Sequence, residues 1–305
     1  MSGKKIVIAG ASGFMGTAFA ERFRREGDTV ITVGRKGSDV TWGDTEALHA
    51  ALSGADLLLN LAGKSVNCRY NDKNRAAIFR SRLLTTGELG RAIEAVENPP
   101  ALWLNASTAT IYRHADDRAM TDEDGEIGSG FSVNVATSWE REFFAHERAG
   151  VRQVALRLAI VLGDGSALAP LVGLTRIGLG GPQIGGKTKG GRQRFSWVHI
   201  DDVFRVIRFL QDQPSISGTI NVASPEPVIN RDLMATLRRV LKVPFGMPLY
   251  RWMLEFGSLL IRSETELLLK SRWVVPSRQQ RHGFSFEFPQ LEGALRDILK
   301  RPSGH

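Results

Sequence analysis

Along the first half of the chain, short runs of consecutive apolar residues alternate with stretches whose apolar positions recur every three to four residues. The continuous runs at 4–9 (KKIVIA), 29–33, 56–61 (DLLLNL), 101–106 (ALWLNA) and 152–158 read as strands buried on both faces, with a short strand at 39–42. The periodic stretches at 14–25, 45–52, 72–96 and 131–148 read as helices. Asn98-Pro99-Pro100 stops the third helix, and Gly150 follows the fourth. Strands that alternate with helices in this way pair in parallel, which predicts an α/β, Rossmann-type doubly wound sheet.

Beyond Gly163 the pattern changes. Residues 165–191 are glycine-rich and carry few strand signals. A strand is expected at 193–199, a helix at 201–210 and a last sheet strand at 219–222. Helical periodicity then dominates, including a long amphipathic stretch at 247–271 and a shorter one at 291–299. The expected organisation is a nucleotide-binding domain over 1–163, to which 193–224 returns, and a smaller, mostly helical substrate lobe from 164–192 and 225–305. The helix at 247–271 is too poor in cations for a membrane-surface helix, and it suits core packing or the contact of a homodimer.

The first strand runs into Gly10-Ala11-Ser12-Gly13-Phe14-Met15-Gly16, which opens the first helix. Gly10 permits the tight turn, Gly13 lets the backbone approach a pyrophosphate, and Gly16 lets the helix pack on the sheet. The helix end then offers free N–H groups and a positive dipole end to phosphate. The second strand ends in Val33-Gly34-Arg35-Lys36. An acid there would grip the ribose diol of NAD; two cations instead suit the 2′-phosphate of NADP(H), which arginine binds bidentately. Asp44 stands either as an adenine contact or as the cap of the following helix.

Composition narrows the class. The 305 residues carry a single cysteine, Cys68, so an intramolecular disulfide is excluded and a reducing, cytoplasmic location is expected. No apolar run is long enough to span a membrane, and the first residues lack the pattern of a signal peptide. The net charge of +8 invites an acidic ligand. Between Asp164 and Asp201 there is no acid, while Arg176, Lys187, Lys189, Arg192 and Arg194 all fall there. No aromatic ladder accompanies these cations, which points to a small anionic substrate rather than nucleic acid. Trp197 and His199 share one strand face, and Asp201-Asp202 opens a helix; these read as organisers of the cleft. The six histidines are scattered, so no zinc site is expected.

The glycine turn, together with Asn60-Leu61-Ala62-Gly63 and Ser107-Thr108-Ala109-Thr110-Ile111-Tyr112, resembles an extended short-chain dehydrogenase/reductase. Trp139-Glu140, Leu162-Gly163, residues 178–182 (GLGGP), 193–202 (QRFSWVHIDD) and 221–227 (NVASPEP), with Val275-Pro276 and His282-Gly283-Phe284, narrow the likeness to the atypical, epimerase-like subgroup with a small helical C-terminal domain. Its members are labelled nucleoside-diphosphate-sugar epimerases and sometimes cell-division inhibitors. The resemblance implies that Asn60, Leu61, Ala62 and Gly63 lie against the cofactor and that Thr108 holds the catalytic hydroxyl position. It also implies that Arg82, in the Ser81-Arg82 pair, lies near the cofactor, and that Arg192 and Arg194 contact an anionic substrate such as a nucleotide sugar.

One part of the family pattern is missing. Short-chain dehydrogenases carry a Tyr and a Lys four residues apart on the helix after the Thr108 segment, and the ammonium lowers the phenol pKa toward neutrality. Here that helix reads FSVNVATSWEREFF, with neither residue. The chain has only three tyrosines, Tyr70, Tyr112 and Tyr250, and no lysine between Lys73 and Lys187, so no shift of register restores the pair. The sequence offers Thr108 as a hydrogen-bond donor and Tyr112 as an acid, with Cys68, His114 and Glu140 as weaker substitutes. Two functions follow: an NADP(H)-dependent epimerase or reductase without the usual relay, or a non-catalytic NADP-sensing regulator linked to cell division.

Overall fold

The computed structural model describes residues 3–165, 168–185, 187–253 and 270–300. Seven parallel strands form its sheet: β1 (Lys5–Ala9), β2 (Thr29–Gly34), β3 (Val40–Thr41), β4 (Leu57–Asn60), β5 (Leu102–Thr108), β6 (Arg152–Leu158) and β11 (Gly218–Val222). Their order is β11-β6-β5-β4-β1-β2-β3. The chain winds outward from β1 through β2 and β3, then crosses back and winds the other way from β4. The reversal leaves a crevice at the carboxyl ends of β1 and β4, where open α/β sheets bind their ligands.

Both faces of the sheet are covered, which explains the unbroken apolar runs. Ile6, Ile8, Leu57 and Leu59 pack with Phe19 and Phe23 of α1 (Phe14–Arg25) and with Val203, Phe204 and Ile207 of α6 (Ile200–Asp212). The alternate residues Val7, Ala9 and Leu58 pack with Leu48 and Leu52 of α2 (Thr45–Leu52), Leu89 and Ile93 of α3 (Asp72–Ala95) and Phe143 of α4 (Phe131–Ala145). This is the two-residue period of a strand read out on both sides. The Asp44 carboxylate accepts from the Ala47 N–H at 3.0 Å and so caps α2, which settles its local role as a helix cap.

The C-terminal part has its own apolar core. Leu168, Leu171 and Val172 of α5 (Leu168–Arg176) meet Leu233, Met234 and Leu237 of α7 (Asn230–Leu241) and Leu291, Leu295 and Ile298 of α8 (Leu291–Lys300). The glycine-rich stretch contains the helix α5 and the short strand β8 (Gln183–Ile184). One sequence expectation is corrected here. The run expected as one strand at 193–199 is two, β9 (Arg194–Phe195) and β10 (Trp197–His199), which pair with different partners: β12 (Val228–Ile229) and β7 (Ile160–Leu162). Ser196 lies between them, its hydroxyl turned to the Arg272 carbonyl at 2.8 Å and the Val274 N–H at 2.8 Å.

The helix expected at 247–271 falls mostly outside the described residues; of its described part, Leu249–Tyr250 form β13, paired with β8, and residues 251–253 are helical. Asp202, fully buried, accepts from the Glu287 and Phe288 N–H groups and from Arg205, which fastens the C-terminal chain to α6. Among the described residues, no helix is long and apolar enough to cross a membrane.

Candidate functional site

A cavity of about 450 Å³ opens at the carboxyl ends of β1, β4 and β5, a size common for small-molecule sites. Its floor is the glycine turn. Gly10 has φ +83°, and a Cβ there would lie 2.8 Å from the Ala62 nitrogen. A Cβ on Gly16 would lie 2.3 Å from the Gly10 carbonyl oxygen. Both glycines are therefore required by close approach. The N-terminus of α1 has no side-chain cap and no acid in its first turn, so its N–H groups and positive dipole end remain for an anion. Gly10, Gly13, Phe14, Met15 and Gly16 line the cavity, whereas Ser12 sits exposed on the turn outside it.

β4 delivers Leu61, Ala62 and Gly63 to the opposite wall. Asn60 lies beneath them, fully buried and away from the lining. Its Oδ1 accepts from the Ala62 N–H at 3.0 Å, and its Nδ2 donates to Asn105 Oδ1 at 2.6 Å and Thr86 Oγ1 at 3.1 Å. The indole of Trp139 donates to the same Thr86 hydroxyl at 2.9 Å. Asn60 thus fixes the turn by satisfying its backbone.

Arg82 lines the cavity from α3. Its guanidinium donates to the carbonyls of Lys64 and Ile78, both at 3.1 Å, and lies 5.0 Å over the Trp139 ring. Among the described residues it has no carboxylate partner, and burial pushes its pKa down to about 10. Among the described residues, the lining holds two cations, Lys64 and Arg82, and no acidic side chain. Arg35 and Lys36 are exposed just beyond β2, whose Val33 carbonyl accepts from the Gly10 N–H at 3.0 Å. They stand beside the glycine turn but do not line the cavity.

Thr108, the last residue of β5, lines the cavity, and its hydroxyl accepts from the Thr110 N–H at 3.1 Å. Its neighbour Ser107 also lines it and donates to the buried carboxylate of Glu140 at 2.6 Å. Arg157 clasps Glu140 with Nε at 2.9 Å and Nη2 at 2.7 Å, and also donates to the Tyr112 hydroxyl at 2.9 Å. That hydroxyl donates to Asn221 Oδ1 at 2.7 Å. Tyr112 is 1% exposed and does not line the cavity. Burial raises its pKa, and Arg157 only partly offsets this. The structure therefore does not bring Tyr112 to the site; it is a buried member of a polar network, unsuited to give a proton to a ligand.

Arg192 and Arg194 also stay off this cavity. Arg192 is exposed, and the Arg194 guanidinium lies 4.2 Å over the Trp273 ring. Arg194 joins Lys270 and Arg272 around a separate recess of about 10 Å³, room for one water at most. Lys270 reaches from there to the carbonyl of the cavity-lining Thr110 at 3.1 Å. His199, Asp201 and Asp297 approach one another closely, but Nδ1 of His199 accepts from the Asp201 N–H at 3.1 Å and Nε2 faces Asp297 at 3.2 Å. This contact ties the start of α6 to α8.

Several lining residues carry no motif in the sequence. Phe131, Ser132 and Val135 share with Trp139 the face that α4 turns inward, and Val66 and Tyr70 come from the loop before α3. The four-residue spacing of Phe131, Val135 and Trp139 is the available signal, since such positions share one helix face.

Comparison with known proteins agrees with this fold. Residues 6–223 match the model of the NAD dependent epimerase/dehydratase family, and residues 251–298 match a domain of unknown function, DUF1731. The chain is 30% identical to the epimerase family protein YfhF of Bacillus subtilis, over 96% of this chain and 97% of that one. It is 32% identical to the epimerase family protein SDR39U1 of Bos taurus, over 97% and 99%. The crystal structure of human SDR39U1 (isoform2) with NADPH superimposes with a TM-score of 0.85 at 29% identity, covering 97% of this chain and 99% of that one. With a strand-to-helix glycine turn at the switch point of a parallel sheet, and a family match that spans that sheet, the chain belongs to the NAD dependent epimerase/dehydratase family.

Proposed function

We propose that the protein binds NADP(H) in the 450 Å³ cavity and carries out redox or epimerase-type chemistry on a small anionic substrate, of which a nucleotide sugar is one kind. The observation that carries this reading is a lining that, among the described residues, holds cations and no acid, set against an uncapped helix N-terminus and glycines that a Cβ would obstruct. That arrangement fits a dinucleotide, and a relative of this chain was crystallised with NADPH. Gly10, Gly13 and the first turn of α1 would hold the pyrophosphate, Arg35 and Lys36 the 2′-phosphate, and Leu61, Ala62, Gly63 and Arg82 the remainder. Bound NADP(H) would supply or accept a hydride. Thr108 would hydrogen-bond the oxygen of the reacting group at the end of β5. Arg192 and Arg194 would meet an anionic substrate only at the outer rim.

A nucleotide titration followed by a 340 nm assay over nucleotide sugars and carbonyl compounds tests this. Arg35→Ala is expected to weaken NADPH binding about tenfold while changing NADH less than about twofold. Equal losses for both would remove the 2′-phosphate assignment. Tight NADPH binding with no turnover over the whole panel would favour the sensor reading.

A further inference from the structure

Tyr70 is the sole tyrosine of the three that lines the cavity: Tyr112 is enclosed behind Glu140 and Arg157, and Tyr250 is 49% exposed on β13. The segment that carries it is well anchored. Ser81 accepts from the Lys64 N–H at 2.9 Å while Arg82 donates to the Lys64 carbonyl. Asn74 donates to the Arg69 carbonyl at 2.8 Å, and Arg75 to the Tyr70 carbonyl at 2.8 Å. The Tyr70 ring meets Phe131 edge-on, with centroids 5.1 Å apart, so it abuts the helix from which the usual tyrosine and lysine are missing. Two cations share its cavity: Lys64 on the same segment, and Arg82, whose charge Tyr70 is near enough to influence.

We propose that Tyr70 is the proton donor of the reaction, supplied from the loop before α3 in place of the phenol absent from α4. This rests on the redox reading above. As the carbonyl carbon of the substrate takes a hydride from the dihydronicotinamide, the Tyr70 hydroxyl gives its proton to the carbonyl oxygen. The C=O π pair becomes the new O–H bond, leaving an alcohol, oxidised cofactor and tyrosinate. Lys64 and Arg82 favour the anion while it lasts, and water returns the proton. The reverse reaction uses the tyrosinate as base.

The test compares wild type with Tyr70→Phe, with Tyr250→Phe as the control. NADPH affinity is read by fluorescence titration, and NADPH oxidation at 340 nm with a panel of aromatic and aliphatic aldehydes, ketones and UDP-sugars. Nitration by tetranitromethane, with and without NADPH, is mapped by mass spectrometry. Tyr70→Phe is expected to bind NADPH within about twofold of wild type and to lose about 10²- to 10⁴-fold in kcat, together with the alkaline fall of the pH profile that a protonated donor imposes. NADPH is expected to shield Tyr70 from nitration and leave Tyr250 reactive. Turnover by Tyr70→Phe within about threefold of wild type, or Tyr70 nitration that NADPH does not change, would overturn the assignment while leaving the redox reading intact. Wild type that binds NADPH and oxidises it with no member of the panel would remove both together.

Discussion

The two ends of the cavity are built from different material. At the β1–β4 end the ligand-facing surface is chiefly main chain: the glycine turn, the uncapped start of α1 and the Leu61–Gly63 segment. At the β5–α4 end it is side chain: Ser107 and Thr108 from the strand, Phe131, Val135 and Trp139 from the helix, and Tyr70 from a loop. A main-chain cradle recognises charge and shape common to all dinucleotides, so it tolerates little variation. A side-chain wall can vary without disturbing the fold, and here α4 carries neither Tyr nor Lys.

The contrast is sharpest where each end is broken. Glu140→Ala leaves Arg157 buried without its carboxylate, and a loss of about 3–5 kcal/mol is expected in denaturant unfolding. The protein that remains folded should still bind NADPH, because the cradle lies elsewhere. Gly16→Val places a branched side chain against the Gly10 carbonyl and the Ala11 backbone. NADPH affinity should fall roughly a hundredfold, about 2.7 kcal/mol, by calorimetry, as α1 is pushed off the turn. Unchanged affinity would show that the phosphates sit elsewhere.

Arg82→Met should weaken NADPH about tenfold, as loss of one charge-assisted contact. Because burial has lowered Arg82 to about 10, its charge holds through neutral pH. The affinity it supplies should decay as pH rises through about 10, and the Met variant should lack that decay. The sign for stability is opposite. The unfolded arginine keeps its proton to a higher pH, so the buried cation is unfavourable at neutral pH and the penalty fades above about 10.

Much of the sheet was legible in the chain. The apolar runs at 4–9, 56–61 and 101–106 became β1, β4 and β5 within one or two residues, because strands buried on both faces need continuous apolar sequence. The glycine turn was legible because its spacing is a local steric requirement. Asn60 shows the limit of that reading. Its position was evident, but only the fold revealed that it turns inward to Asn105 and Thr86 rather than toward a ligand. The run at 193–199 divided in two because Ser196 bonds to chain more than seventy residues further on, which no local pattern encodes.

The sequence alone determined that the sheet is parallel, that a glycine turn joins β1 to a helix, and that α4 carries no Tyr–Lys pair, since each depends on residue type at short spacing. Tertiary structure decided which scattered side chains share the cavity. Tyr112, adjacent to the expected catalytic segment, is withdrawn behind Arg157, and Tyr70, outside every motif, lines the cavity. The physical reason is that proximity between loop, strand end and helix face is set by packing across the sheet, and a chain read one residue at a time carries no record of it.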